Sequence, residues 1–218
     1  AALTAADLEM LNTRQIGALQ SVQVAALSDA QLVALSALQV GALSLSALGG
    51  LSAAQIAAIE PGDIAGLRTA QIQALNSDQL LALTIDQVGA LTTQEVAALK
   101  PGQLALLTVD QVRGLTNIGG LTTAQMRVLS ADQLQALLPE QIAALRTTQL
   151  GALTPAQAAL LTTEQIVALT TAGILALNTR SLAALTADQV AAIELADIAA
   201  LRSTQLAALT TDQIGALT

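Results

Sequence analysis

An eight-residue unit recurs along the whole chain, and a repeat this short rules out most ways of folding 218 residues. Its clearest copies are LTTDQIGA at 209–216 and LTTEQIVA at 161–168. Counting slots from the leucine, octads start at Leu3 and follow one another to Leu107. A six-residue unit, LTNIGG at 115–120, interrupts them, and octads resume at Leu121 and continue to Leu209. The 26 octads read as one array over residues 1–218, with the shortened repeat at 115–120 as its irregularity. A unit of eight residues cannot close a core alone, so its copies must stack on one another. The array starts and stops within a repeat, which reads as a piece of something longer.

The slots carry a helix-start signal. Slot 1 is Leu or Ile throughout, slot 2 is Ser, Thr or Asn in 18 octads, and slot 5 is Gln in 19. A hydroxyl three residues before a glutamine is the capping-box spacing: the hydroxyl accepts from a first-turn N–H, and the glutamine reaches back to the cap's own N–H. Slot 1 and the aliphatic slot 6 then bracket the cap as a hydrophobic staple. All four prolines, Pro61, Pro101, Pro139 and Pro155, fall in slot 3, the first helical position, where a missing N–H costs little. Every acidic residue except Glu9 lies in slots 2 to 5, near the positive end of a helix.

A single long helix fails on phase, because an eight-residue repeat drifts by roughly 80° per copy on a helix of ~100° per residue. The spacing therefore predicts an all-α, elongated solenoid (a superhelix) of very short capped helices, one per repeat, each about six residues over slots 3 to 8. A β-solenoid is the rival, since octad coils with threonine rows also stack. Against it, slots 7 and 8 are rich in Ala and Gly, which are poor strand formers, and the apolar slots do not alternate. The number of octads per coil is poorly encoded: Pro61, Pro101 and Pro139 recur every five repeats once the hexad is allowed for. The hexad, with Gly119-Gly120, lacks two residues of helix and is the expected place for a kink.

Residue types exclude several functions. With 16 acidic and 8 basic residues the chain carries net charge −8, which disfavours nucleic acid and anionic membranes. There is no aromatic residue for base or sugar stacking, no cysteine for a disulfide or thiolate, and no histidine for base catalysis or metal ligation. Polar slots break every apolar run well short of the ~20 residues that a membrane helix needs. No nucleophile–base pair or cofactor loop is present, so we expect no enzyme, no catalytic or cofactor-binding residue, no metal ligand and no cofactor.

Four features are candidate sites. Asp78, Asp86, Asp110, Asp132, Glu140, Glu164, Asp188 and Asp212 all occupy slot 4, and stacked coils would bring such carboxylates together as a weak calcium row. Calcium takes six to eight oxygens, and no EF-hand or calcium β-roll motif is present, so solvated helix-start carboxylates are the plainer reading. Glu60/Arg68 and Glu194/Arg202 sit at successive slot-2 corners and are expected to bridge. Gly49-Gly50 and Gly119-Gly120 lack the Lys and Ser/Thr of a phosphate loop. Lys100, the only lysine, stands at a corner.

The LTTxQIxA tracts at 161–168, 185–192 (LTADQVAA) and 209–216 resemble the tandem octads of very large bacterial proteins labelled haem-utilisation or adhesion proteins, or type I secretion substrates. The resemblance spans essentially the whole chain and implies a secreted or cell-surface setting. For haem the chain offers no His, Tyr or Cys, leaving Met10 and Met126 as the axial ligands to consider. The expected role is a structural stalk or scaffold in a bacterial adhesin-like protein. The alternatives are a module whose solvent face engages a protein or glycan, with Arg113 and Arg127 beside the hexad as a hint, or a calcium-dependent surface repeat. Self-association along the array is a further expectation.

Overall fold

The computed structural model describes residues 3–217. Among them lie 26 α-helices of four to six residues and one 3₁₀ turn, Ile118–Gly120, with no strand. The octads are helical and the β-solenoid alternative is overturned. Helices begin at slot 3, as in Ile85–Ala90 and Thr93–Ala98, and slot 2 is the N-cap in extended conformation. Some end one or two residues before slot 8, as in Thr163–Val167 and Thr147–Leu150.

The corner is made entirely of ordinary extended backbone. Leu83 has φ −57° and ψ 128°, and the following cap, Thr84, has φ −69° and ψ 161°. No described residue has positive φ, glycine included. Two consecutive extended residues break the helix and redirect the chain, so slots 1 and 2 make the turn with L-residues alone.

The chain divides into two compact units between Gly120 and Leu121, at the end of the hexad. Within the first, each helix packs on the helix three elements later. Thr13–Gly17 meets Ala37–Ala42, which meets Pro61–Ile64, then Ile85–Ala90, then Val109–Gly114. The second unit repeats this arrangement, with Pro139–Ala143, Thr163–Val167, Ala187–Ala191 and Thr211–Ala216 in one column. One coil is therefore three octads, not the five suggested by proline spacing. The prolines recur for a local reason, their tolerance at the first helical position.

Slots 1 and 6 supply the core. In the first unit Ile56, Ile64, Ile72, Val88 and Leu104 are fully buried, and the slot-1 residues Leu51, Ile59, Leu75 and Leu91 nearly so. One column packs so closely that backbone meets backbone. A Cβ on Gly41 would overlap the Gly66 carbonyl, and one on Gly66 would overlap the Ala37 carbonyl. Gly17, Gly41, Gly66, Gly89 and Gly114 stand in this column at slots 7 and 8, about one coil apart.

The hexad substitutes for a coil segment. Its 3₁₀ turn packs on Thr93–Ala98 and buries Ile118, while Thr116 and Asn117 donate to the carbonyls of Gly89 and Leu91 at 2.6 and 2.8 Å. Gly120 sits where a Cβ would lie 2.6 Å from the Thr93 carbonyl oxygen, so glycine is needed there for close approach.

Candidate functional site

The dominant polar feature is the slot-5 glutamine, and it uses both ends of its amide. Its Oε1 accepts from the cap N–H of its own octad, as in Thr84 to Gln87 at 2.9 Å and Thr108 to Gln111 at 2.9 Å. Its Nε2 then crosses to the preceding coil. Gln87 donates to the carbonyls of Ile56 and Ile59 at 2.8 and 2.6 Å, and Gln79 to Leu48 and Leu51, both at 2.9 Å. The partners are 31 and 28 residues earlier, at slots 6 and 1. Gln39, Gln71, Gln103 and Gln111 repeat this rung in the first unit, as do Gln157, Gln165, Gln189 and Gln213 in the second.

The rung accounts for a choice that capping alone does not. Glutamate returns the cap bond as well as glutamine does, but a carboxylate has no hydrogen to donate to a buried carbonyl. The preference for Gln at slot 5 was the signal for an inter-coil bond, and capping logic passed over it. Ser181 meets the same need with its hydroxyl, donating to Leu153 at 3.0 Å.

The two halves of the capping box differ in how widely they hold. Where slot 2 is Gln20, Arg68, Lys100, Leu138 or Arg146, no side chain caps the helix, yet the glutamine still accepts from the cap N–H at 2.6 to 2.8 Å. Thr162 and Gln165 carry both halves, and Gln165 also bonds Leu134 and Leu137 at 2.9 and 2.8 Å. Thr162→Ala is accordingly expected to cost about 1 kcal/mol. Gln165→Ala, which strips four side-chain bonds from a buried site, a longer one to the Gln135 carbonyl included, should cost about 2–3 kcal/mol. Urea denaturation of the two variants measures both, and equal losses would refute the rung's larger share.

The acidic candidates lie on the surface. All eight slot-4 carboxylates are exposed, and among the described residues no group of three or more is placed to hold a metal ion. Glu140, Glu164, Asp188 and Asp212 do occupy one helix column, one per coil. At slot 5, Asp7 is fully exposed and its carboxyl is held below the usual range by bonds from Thr4. Burial, with Glu60 nearby, raises Asp63.

The expected corner ion pairs do not form. Arg68 instead directs Nε to Gln71 Oε1 at 3.3 Å and Nη2 to the Leu43 carbonyl at 3.3 Å, and Arg202 donates to the Leu175 carbonyl at 2.6 Å. A backbone carbonyl, which has a second lone pair beyond the one given to Gln71 or Gln205, competes well with an exposed carboxylate, whose attraction water screens. Lys100 is exposed, with its backbone N–H held by Gln103. Met10 is 85 % exposed and Met126 fully buried.

In each unit a groove is lined by two arginines. In the first unit Arg14 and Arg68 flank a groove of about 690 Å³ floored by Gly41, Ala42 and Gly66. In the second, Arg127 and Arg180 flank one of about 500 Å³ beside Gly151, Thr154 and Asn178. No carboxylate lines either groove. Of the pair noted in the sequence, Arg127 belongs to a groove, and Arg113 is exposed in the last turn of Val109–Gly114.

Stacked coils of similar short helices, joined by regular side-chain rungs and a continuous aliphatic core within each unit, define a helical repeat protein of the solenoid kind. The profile of the ALTTAQ repeat matches residues 1–37, 56–93, 118–147, 140–171 and 190–218. The chain belongs to the ALTTAQ repeat family. A search of the curated proteins finds no match.

Proposed function

We propose that this chain is a structural repeat array, a stalk or scaffold, within a large secreted or surface-exposed bacterial protein of the adhesin type. The observation that carries this reading is the use of the recurring side chains. Leu and Ile of slots 1 and 6 fill the core, Thr of slot 2 caps, and Gln of slot 5 ties coil to coil. What recurs is what builds; the exposed slots 3, 4 and 7 vary freely. The likeness of the LTTxQIxA tracts to octads of large bacterial surface proteins supports the setting.

A spacer built of nearest-neighbour contacts releases its coils one after another under tension. Single-molecule pulling of the chain should give steps of one coil or its multiples. Three octads, 24 residues, correspond to about 80 Å of extended chain. One all-or-none event over the whole chain would count against the reading.

The paired-arginine grooves favour a second reading, a module that binds an anionic oligosaccharide through its solvent face. Titration with an oligogalacturonate, repeated on Arg14→Gln/Arg68→Gln and Arg127→Gln/Arg180→Gln variants, distinguishes the two. Saturable, salt-sensitive binding lost in the variants would favour the module, and no binding would favour the array. Circular dichroism in chelator, then with calcium, tests the calcium-dependent alternative: folding that required calcium would support it.

A further inference from the structure

Glu95 occupies slot 5 of the octad that starts at Leu91, where most octads carry the rung glutamine. It is 3 % exposed, and its two carboxylate oxygens differ sharply. Oε2 accepts from the Thr92 N–H at 2.6 Å, completing the return half of the capping box. Oε1 is buried with no hydrogen-bond partner, the only such side-chain atom among the described residues. The flanking rungs define what lies opposite. Gln87 meets the carbonyls of Ile56 and Ile59, and Gln103 those of Ile72 and Leu75. The same 31- and 28-residue register sets Ile64 and Leu67 opposite Glu95.

An ionised carboxylate there would set a negative oxygen against carbonyl oxygens, with no hydrogen between them and little water to separate them. A carboxylic acid has the missing hydrogen. We propose that Glu95 is protonated in the folded chain, its O–H donating to the preceding coil in place of the glutamine amide, so that this one rung forms and opens with a proton. The proton comes from solvent on folding and returns to it on opening.

The surroundings leave the proton as the simplest neutralising partner. The two helices packed on Thr93–Ala98, namely Thr69–Ala74 and Ile118–Gly120, contain no charged residue. The corner opposite is flanked by Asp63 and Arg68. Asp63 carries the same charge as Glu95, and Arg68 is engaged with Gln71 and the Leu43 carbonyl. Burial pushes the Glu95 carboxyl above its ordinary value of 4.5, against the bonds from Thr92 that pull it down.

The sign of the linkage follows. A raised folded value means that the native chain holds the proton through a range where the unfolded chain has lost it. The contribution of Glu95 is therefore most favourable below 4.5, and stability falls as pH rises through the raised folded value. Glu95→Gln supplies a permanent donor. Its melting temperature should exceed that of the parent by several degrees near neutral pH, and the two curves should converge on acidification below 4.5.

A second measurement stands even if the variant folds poorly. The chain has six glutamates, and ¹³C-labelling of their side chains in the parent should reveal one carboxyl carbon titrating above the other five. A gap between Glu95→Gln and parent that does not change with pH would overturn the proposal. So would six glutamates titrating together near the ordinary value.

Discussion

Gln79→Leu should lower the stability of the first unit by about 3 kcal/mol, a loss of roughly 10 °C in melting temperature. Gln79 is 1 % exposed and makes three side-chain bonds: Oε1 from the Asn76 N–H at 3.1 Å, and Nε2 to the Leu48 and Leu51 carbonyls. Leucine preserves the volume and removes all three. The Leu48 carbonyl keeps its bond from the Leu51 N–H at 3.1 Å, so the main penalty falls on the Leu51 carbonyl and the Asn76 amide. Each buried group left unpaired costs about 1–3 kcal/mol. Gln79→Glu is the sharper test, because it keeps the cap bond and removes only the inter-coil donors. It should fall with the leucine variant at neutral pH and recover on acidification, when the carboxyl can donate. A Gln79→Glu variant as stable as the parent at neutral pH would show that the cap bond alone explains slot 5.

Ile72→Ala is expected to cost about 4 kcal/mol, within the range for emptying a closed aliphatic site. Ile72 is fully buried in Thr69–Ala74, which packs on Leu45–Gly49 before it and Thr93–Ala98 after it. Its removal therefore opens a void shared by three successive coils. Ile214 occupies the same slot of its octad in Thr211–Ala216 but is 45 % exposed. Ile214→Ala should cost about 1–2 kcal/mol, since much of that side chain already meets water. Urea denaturation of both variants reads the contrast. Equal losses would mean that stability comes from within each octad rather than from stacking.

These expectations rest on different distances along the chain, and so did the legibility of the fold. Capping joins slot 2 to slot 5 across three residues. Thr162 with Gln165, the slot-3 prolines and the first-turn acids are all local signals, and they place each helix start with no knowledge of the partner coil. The rung joins residues 28 and 31 apart, and neither number appears in an eight-residue motif. The donor was still legible in part. Gln in preference to Glu at slot 5 asks for a hydrogen that capping does not need, and Glu95 is the informative exception. The glycines at 17, 41, 66, 89 and 114 likewise recur at intervals of about one coil, a trace of the three-octad turn that the evenly spaced leucines conceal.

The candidate sites divide along the same line. That the slot-4 carboxylates would be solvated helix-start residues follows from the dipole and the phase of the repeat. That Glu140, Glu164, Asp188 and Asp212 share a column while Asp78 and Asp86 do not depends on the coil, as do the positions of Arg14 and Arg68 along one groove. The corner pairs Glu60/Arg68 and Glu194/Arg202 looked complementary in sequence, but the arginines share carbonyls of the preceding coil with the rung glutamines Gln71 and Gln205.

The amino-acid sequence by itself determined the short capped helix, its start, its apolar slots and the need to stack, because these follow from bonds and periods shorter than one repeat. Only the tertiary structure decided that three octads close a coil, which carbonyls each glutamine reaches and where two backbones touch at glycine. The physical reason is degeneracy. Every octad carries the same local instructions, so the angle summed over successive corners, and hence the partner of each side chain, emerges only when the coils pack.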